Sequence, residues 1–333
     1  MMRRTMEYRD VPGVRISLSQ IIHGATTLFG DETVSHWENL LDDVMASGVN
    51  VFDTGLVYAD QDGTCDERLG KWINARNVRD KVVVIGKGCH PGPPNWEESR
   101  VLPECIEVDV EKTLDRMGTD RLDLWLFHRD NEKVPIDELV DAVDKQVAAG
   151  LIDAWGVSNW SIKRLSDALE TSKKNYWVKP EAFSPHLSLV TQEQPPWEAV
   201  TSIAGDRAQD DREWLKENQI PVLAWSALAG GYLTSSVDLE SMQTPNSRLM
   251  AETARCYHSE MNWLRRERAI ELAAKKNCTL EQIAVSWVLH ADFLTHAICA
   301  SRSKTEVFQN VASADIKLSK SERVWLESGE IIE

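Results

Sequence analysis

Strand-like and helix-like segments alternate through this chain eight times, an order that few folds admit. Short β-branched or apolar runs occur as SQIIHG near residue 22, VNVFD near 51, KVVVIG near 84, LDLWLF near 125, IDAWGV near 155, EAFS near 183, PVLAW near 223 and HAICA near 298. Between them lie VSHWENLLDDVMASG, ECIEVDVEKTLDRMG, PIDELVDAVDKQVAAG and IKRLSDALETSKK, where apolar positions fall three or four apart, the period of a helix with one buried face. Strands joined by helices run parallel, because the helix carries the chain back to the edge of the sheet where the strand began. Eight such units predict a closed α/β structure, the TIM (β/α)8 barrel, over an open parallel sheet, which counting alone leaves as the alternative.

The punctuation agrees with this order. The helix over 136–149 and the one ending near 47 stop at Gly150 and Gly48, where a left-handed residue closes a helix. Thr279 and Gln282, three apart ahead of the run IAVSWVL, form the pattern of a capping box. The step from the strand near 223 to the one near 298 is longer than the others, and its stretch 230–270 is expected to hold a loop plus a helix. At the N-terminus MEYRDVP and VRISLSQ flank Gly13 as two extended runs about a turn, a hairpin expected to close the barrel floor.

Barrels of this kind routinely exceed ordinary domain size, so residues 1–333 are read as one domain. With 53 acidic against 37 basic side chains the net charge is −16, and no Lys/Arg run offers a surface to a nucleic-acid backbone. The basic N-terminus has no apolar stretch behind it to act as a signal peptide, and no segment approaches the length of a membrane span; a cytoplasmic protein is expected. Six scattered cysteines without a C-x-x-C pair suit neither a zinc site nor a disulfide framework, and no metal is expected.

In a barrel of this type the active site is built at the C-terminal ends of the strands. Asp53 ends the second strand, Lys87 follows the third, His128 ends the fourth, Ser158 and Asn159 the fifth and Trp225 the seventh. Taken singly, an Asp at a strand end is a helix cap or turn former, a Lys after Gly is solvated, a Tyr is a rim aromatic, and His128 before Arg129 and Asp130 belongs to a local salt-bridge cluster. Together, at consecutive strand ends, they point to chemistry.

The segment FDTGLVYADQDGTCDERLGKWI, with Tyr58 five residues after Asp53, resembles the corresponding stretch of the aldo-keto reductases. So, in the same order, do VVVIGK, LDRMGTDRLDLWLFHRD, AAGLIDAWGVSNW and PVLAWSALAGGYLT, so the resemblance covers nearly the whole chain. It implies a reductase that transfers a hydride from NADPH, or else NADH, to the carbonyl of an aldehyde, ketone or sugar, with Asp53, Tyr58, Lys87 and His128 as the catalytic group and a small-molecule carbonyl or alcohol as substrate. The chemistry of the residues agrees. A developing alkoxide needs a proton, and a tyrosine of ordinary pKa near 10 is a poor acid at neutral pH unless a neighbouring cation favours its phenolate. Lys87 is the expected cation, Asp53 the counter-charge that holds it, and His128 the donor that orients the carbonyl.

The resemblance also implies a cofactor site. Ser158 and Asn159 match the pair that bonds the carboxamide, and Trp225 matches the aromatic on which the nicotinamide stacks. Gly24, Thr26, Ser226, Leu228 and Gly230 fall along the cofactor path, and ASRSKTEVFQN, with Ser301, Arg302, Lys304 and Asn310, resembles the segment that binds the adenosine phosphate where the last helix begins. No G-x-G-x-x-G follows a strand, which argues against a Rossmann domain. Three departures stand out: Ser184 replaces a longer Gln at the end of strand six; Glu306 and Ala300 stand where Arg and Lys are usual, although Arg302 and Lys304 are close by; and Phe183, Pro185 and His186 lack the usual Asn and acid.

Thirteen tryptophans are many for this length. Trp96, Trp160 and Trp197 fall in connections after strands three, five and six, where they are expected either to border the pocket and stack on a ring-shaped substrate or to anchor loops on the rim. Residues 88–104 and 184–212 are expected to form the pocket walls. Two other functions fit the same residues: a cofactor-binding regulatory protein like the potassium-channel β subunits, and a lyase or isomerase on the same barrel.

Overall fold

The computed structural model describes residues 6–28, 33–60 and 63–331; residues 1–5 of the basic N-terminus and Gln61–Asp62 of the Asp-Tyr segment lie outside them. Among the described residues there are twelve strands and twelve helices, and the eight strands predicted from the sequence occur in the predicted order. The barrel strands are β3 (Ile21–Gly24), β4 (Val51–Asp53), β7 (Val83–Gly88), β8 (Leu122–Phe127), β9 (Ile152–Ser158), β10 (Ala182–Ser184), β11 (Val222–Ala224) and β12 (Thr295–Cys299). Each pairs in parallel with the next, and β12 returns to β3 through Ala297 opposite Ile21, so the sheet is a closed barrel and the open-sheet alternative falls. β5 (Ala59–Asp60) and β6 (Gly63–Thr64) form a small antiparallel ladder above the rim.

The hairpin is β1 (Tyr8–Arg9) with β2 (Leu18–Ser19), paired antiparallel. Its Val11 and Leu18 pack with Ile22, Val51, Val83, Ile85, Leu124 and Leu126 from the barrel interior, so the hairpin closes the floor with apolar side chains. Their removal from water contributes roughly 1.5–3 kcal/mol per large side chain, an upper value because denatured chains already hide part of that surface.

The helices around the outside are α1 (Val34–Ala46), α2 (Cys65–Arg76), α3 (Pro103–Met117), α4 (Ile136–Ala148), α5 (Ile162–Asn175), α6 (Gln209–Asn218), α7 (Leu239–Gln243), α8 (Arg248–Tyr257), α9 (Glu260–Lys276), α10 (Leu280–Leu289), α11 (Lys304–Ala312) and α12 (Lys320–Ser328). In α1, Thr33 caps the N-terminus and Trp37, Leu40, Leu41 and Val44 form the buried stripe. Gly48 and Gly150 close α1 and α4 with φ of +95° and +75°, and Thr279 with Gln282 forms the capping box of α10. The expectation of one loop and one helix over 230–270 is corrected to α7, α8 and the start of α9. Asp238, Ser247 and Ser259 each accept a backbone N–H at a helix start and so begin three helices in place of one. Of the two walls expected, 184–212 gives Ser184, Pro196 and Trp197 to the cavity at the strand ends and runs into α6 at Gln209, while no residue of 88–104 lines that cavity; α11 is followed by α12 and is not the last helix. Among the described residues no helix is long and apolar enough to cross a membrane.

Candidate active site

The C-terminal ends of the strands surround a cavity of about 410 Å³. Gly24, Thr26, Asp53, Tyr58, Lys87 and His128 line it together with Ser158, Asn159, Ser184, Trp197 and Trp225, and Ser226, Leu228 and Gly230 carry it toward α8. Two of the residues that line it have left-handed backbone without being glycine: Asn159 after β9 and Ser226 after β11 have φ of 62° and 61°. Such conformations cost on the order of 1–3 kcal/mol each and persist where surrounding structure fixes them.

The quartet is assembled by backbone bonds between β4 and β7. The amides of Thr54 and Leu56 donate to the carbonyls of Ile85 and Lys87 at 2.8 and 2.9 Å, and the amide of Tyr58 donates to Gly55 at 2.8 Å, which turns the phenol over the rim. A side chain at Gly55 would bring its Cβ to 3.1 Å from the Tyr58 ring and 3.4 Å from His128 Cε1, so even a methyl group there would crowd the phenol. Lys87 Nζ lies 2.5 Å from Asp53 Oδ1, donates to the Thr54 carbonyl at 3.1 Å and sits 5.3 Å from the Tyr58 ring centre. The Tyr58 hydroxyl is 3.5 Å from His128 Nε2, with the two rings edge to face at 5.5 Å. Thr54 donates to the buried Asp66 of α2 at 2.6 Å and so ties the end of β4 to that helix.

Burial and charge oppose each other at every member. Burial works against the Lys87 ammonium, but Asp53 and Tyr58 outweigh it and hold the lysine pKa above its ordinary value. Burial raises Asp53 while Lys87 pulls it down. Burial also raises Tyr58 above 10, and Lys87 offsets only part of that rise; the sequence expectation of a net lowering left out desolvation. His128 is driven well below 6.5 by burial, with Lys87, His90 and Arg129 adding to the effect, so its imidazole is neutral at pH 7. The group therefore combines a retained cation, a protonated phenol and a neutral imidazole.

Across the cavity, Ser158 Oγ donates to the Ser184 carbonyl at 2.9 Å, and Asn159 Nδ2 donates to Ser158 Oγ at 3.1 Å. Among the described residues Asn159 Oδ1 and Trp225 Nε1 are buried with no partner, an acceptor and a donor left over for a ligand. The Ser184 hydroxyl donates to the Leu223 carbonyl at 2.9 Å, so this short residue braces β11 as well as bordering the cavity. His186 packs edge-on behind Trp225 at 5.1 Å, its Nδ1 2.7 Å from Ser202 Oγ and its pKa lowered to about 3 by burial. One face of Trp225 carries the ring of Trp197, stacked at 5.6 Å and 20°.

Other expected residues lie away from the cavity. Trp160 is fully buried, packs on Phe127 at 5.3 Å and donates to the Arg129 carbonyl at 2.8 Å; it is a wall anchor and does not reach the pocket. Trp96 is 56% exposed and meets His90 edge-on at 6.4 Å, while His90 in turn packs on His128 at 4.7 Å. Ser301 and Asn310 are buried and bonded to each other at 3.0 Å. At the start of α11, Glu306 accepts the backbone N–H of Arg302 at 2.7 Å, and Lys304 is paired with Asp43 of α1. The sequence reading missed Glu252, Thr253, Cys256 and Tyr257 of α8, which line the far end of the cavity. Their only signal was the unusual length of the β11–β12 connection.

With this geometry in place, comparison with known proteins is direct. The model of the aldo/keto reductase family matches residues 20–327. Among curated proteins, a probable voltage-gated potassium channel subunit beta of Arabidopsis thaliana is 22% identical over 316 residues, covering 93% of this chain and 92% of that protein. One of the same description from Oryza sativa subsp. japonica is 22% identical over 324 residues, with the same coverage. Among solved structures, an aldo-keto reductase from Klebsiella pneumoniae in complex with NADPH superposes with a TM-score of 0.70 at 24% identity, covering 97% of this chain and 94% of that one. A second Klebsiella pneumoniae structure, with NADP and acetate, gives the same TM-score and identity, with coverage of 97% and 95%.

Proposed function

The chain belongs to the aldo/keto reductase family, and we propose that it is an NAD(P)H-dependent reductase of small carbonyl compounds, working as a single barrel domain. The observation that carries this reading is the buried Lys87–Asp53 contact of 2.5 Å beneath the Tyr58 ring, with His128 beside the phenol. Bound NAD(P)H would supply the hydride. Tyr58, protonated at neutral pH, gives its proton to the substrate oxygen as negative charge develops there, and Lys87 stabilises the phenolate left behind. Asp53 keeps the ammonium in place, and neutral His128 directs one N–H toward the same oxygen.

The nicotinamide end of the cofactor is supported by the two unpartnered polar atoms. Asn159 Oδ1 suits the amide N–H of a carboxamide, and Trp225 offers a stacking surface of which Trp197 covers one face. At the adenosine end, preference for NADPH rests on Arg302, because Lys304 is engaged by Asp43 and Glu306 occupies the Arg302 backbone N–H. The Klebsiella proteins of the same fold were solved with NADPH and NADP, in keeping with this choice. A screen of aldehydes, ketones and sugars followed by NADPH absorbance tests the proposal; consumption that depends on both substrate and Tyr58 is the expected result, and NADPH left intact with every class would overturn it.

A second reading follows from the plant relatives, whose names describe channel subunits: a partner-binding protein that keeps the cofactor site. Turnover separates the two, since partner binding by itself requires no reduction of a carbonyl.

A further inference from the structure

Arg129, the residue after His128, is a cation without a counter-charge. Among the described residues no carboxylate pairs with it and its Nη1 is buried without an acceptor, while the neighbouring Asp130 is taken by Arg164 at 3.3 Å. Its guanidinium lies 5.2 Å from the ring of Trp197, which lines the cavity but can satisfy none of its N–H groups. Its charge pulls the Tyr58, His128 and His90 pKa values downward, adding to burial at the two histidines and opposing it at Tyr58, which stays raised overall. Burial lowers its own pKa, which marks the cost of holding the charge there. In a chain with a net charge of −16, acidic side chains abound, yet none of the described ones is placed against this one. A half-buried guanidinium that has no carboxylate partner among the described residues, packed on the Trp197 ring that lines the cavity, is complementary to an anion that arrives from outside.

We propose that Arg129 is a specificity-determining residue that recognises an anionic group, a carboxylate or phosphate, on the carbonyl substrate, so that the physiological substrate is an acidic aldehyde or ketone. This deepens the reductase reading and rests on it for the carbonyl. The planar guanidinium can bond a carboxylate or phosphate through two parallel N–H groups, which fixes where the carbonyl points as well as how tightly it binds. The aromatic flank of Trp197 beside it suits a ring or extended carbon chain between the anion and the carbonyl.

The test compares probes of matched shape: 4-carboxybenzaldehyde with 4-formylbenzamide, and 4-formylphenyl phosphate with the neutral 4-formylphenyl methanesulfonate. The parent is expected to favour the anionic member of at least one pair by about tenfold or more in kcat/KM, the scale of a charge-assisted contact, and the pair that responds names the anion. In Arg129→Gln this ratio should collapse toward one, mainly through KM, and Arg129→Lys should restore part of it. Binding of 4-nitrobenzoate against 4-nitrobenzamide, read by quenching of tryptophan emission, gives the same comparison without turnover. If no aldehyde is reduced but 4-nitrobenzoate binds in an Arg129-dependent way, the reductase reading fails and the anion site stands. Parent ratios below two in both pairs, or ratios unmoved in Arg129→Gln, overturn the anion site whatever the activity.

Discussion

Removing one oxygen atom, by Tyr58→Phe, isolates the proton-transfer step. The ring stays between Lys87 at 5.3 Å and the edge of His128 at 5.5 Å, and the 2.5 Å Lys87–Asp53 contact does not involve the phenol oxygen. The hydroxyl meets His128 at 3.5 Å and also interacts with the Lys87 ammonium, so its loss should change folding stability by at most about 1–3 kcal/mol, the range of a hydrogen bond to a charged group. Groups proposed to hold the nicotinamide come from other strands, so cofactor affinity should stay within about twofold. Positioned acid catalysis contributes roughly 10²- to 10⁴-fold, and kcat for the best aldehyde should fall by that factor. Stopped-flow or steady-state oxidation of NADPH measures the rate, and quenching of tryptophan emission measures the cofactor Kd. A variant that keeps more than about a tenth of the parent kcat would show that Tyr58 is not the acid. Loss of NADPH binding would contradict the separation of roles.

Three further outcomes follow from the same geometry. Because Tyr58 is raised above 10 and reduction needs its protonated form, kcat should hold level from neutral pH and fall only above about pH 10. His128, lowered well below 6.5, is already neutral across that range, and an acid limb near 6.5 that disappears in His128→Gln would contradict this assignment. Trp197→Ala should tighten NADPH binding by roughly two- to tenfold, the worth of the aromatic stack a nicotinamide must share or displace on Trp225; unchanged or weaker binding would refute it. Arg302→Ala should bring the NADPH/NADH ratio of kcat/KM to about one or below, and a ratio left unmoved would place the 2′-phosphate elsewhere.

The barrel and the ends of its strands were legible because both are written locally. The eight runs carry their own register, and a side chain that closes a strand reaches the rim wherever the fold is a barrel. What the sequence could not disclose depends on contacts between distant residues. Lys304 meets Asp43 across 261 positions, and only the fold brings α11 against α1. Trp160 and Trp197 both follow barrel strands, yet one turns into the wall and the other onto Trp225, a difference decided by packing in three dimensions. The extra helices after β11 were signalled by Asp238, Ser247 and Ser259, polar residues that serve equally as loop formers until a backbone N–H is found bonded to each. Tyr58 shows the limit of reasoning from charges alone, since its neighbour Lys87 was visible in the sequence and the depth of its burial was not.

The most direct test of the account follows the hydride itself. The protein is incubated with NADPH deuterated at C4 of the nicotinamide and with the best carbonyl substrate from the screen, and the product alcohol is weighed by mass spectrometry. The account predicts one deuterium on the former carbonyl carbon in the parent, delivered from one face of the nicotinamide only, and product formation slowed at least about a hundredfold in Tyr58→Phe. An alcohol formed without deuterium from either face, or a substrate converted with the cofactor unchanged, would contradict hydride transfer and return the barrel to the lyase or isomerase alternative.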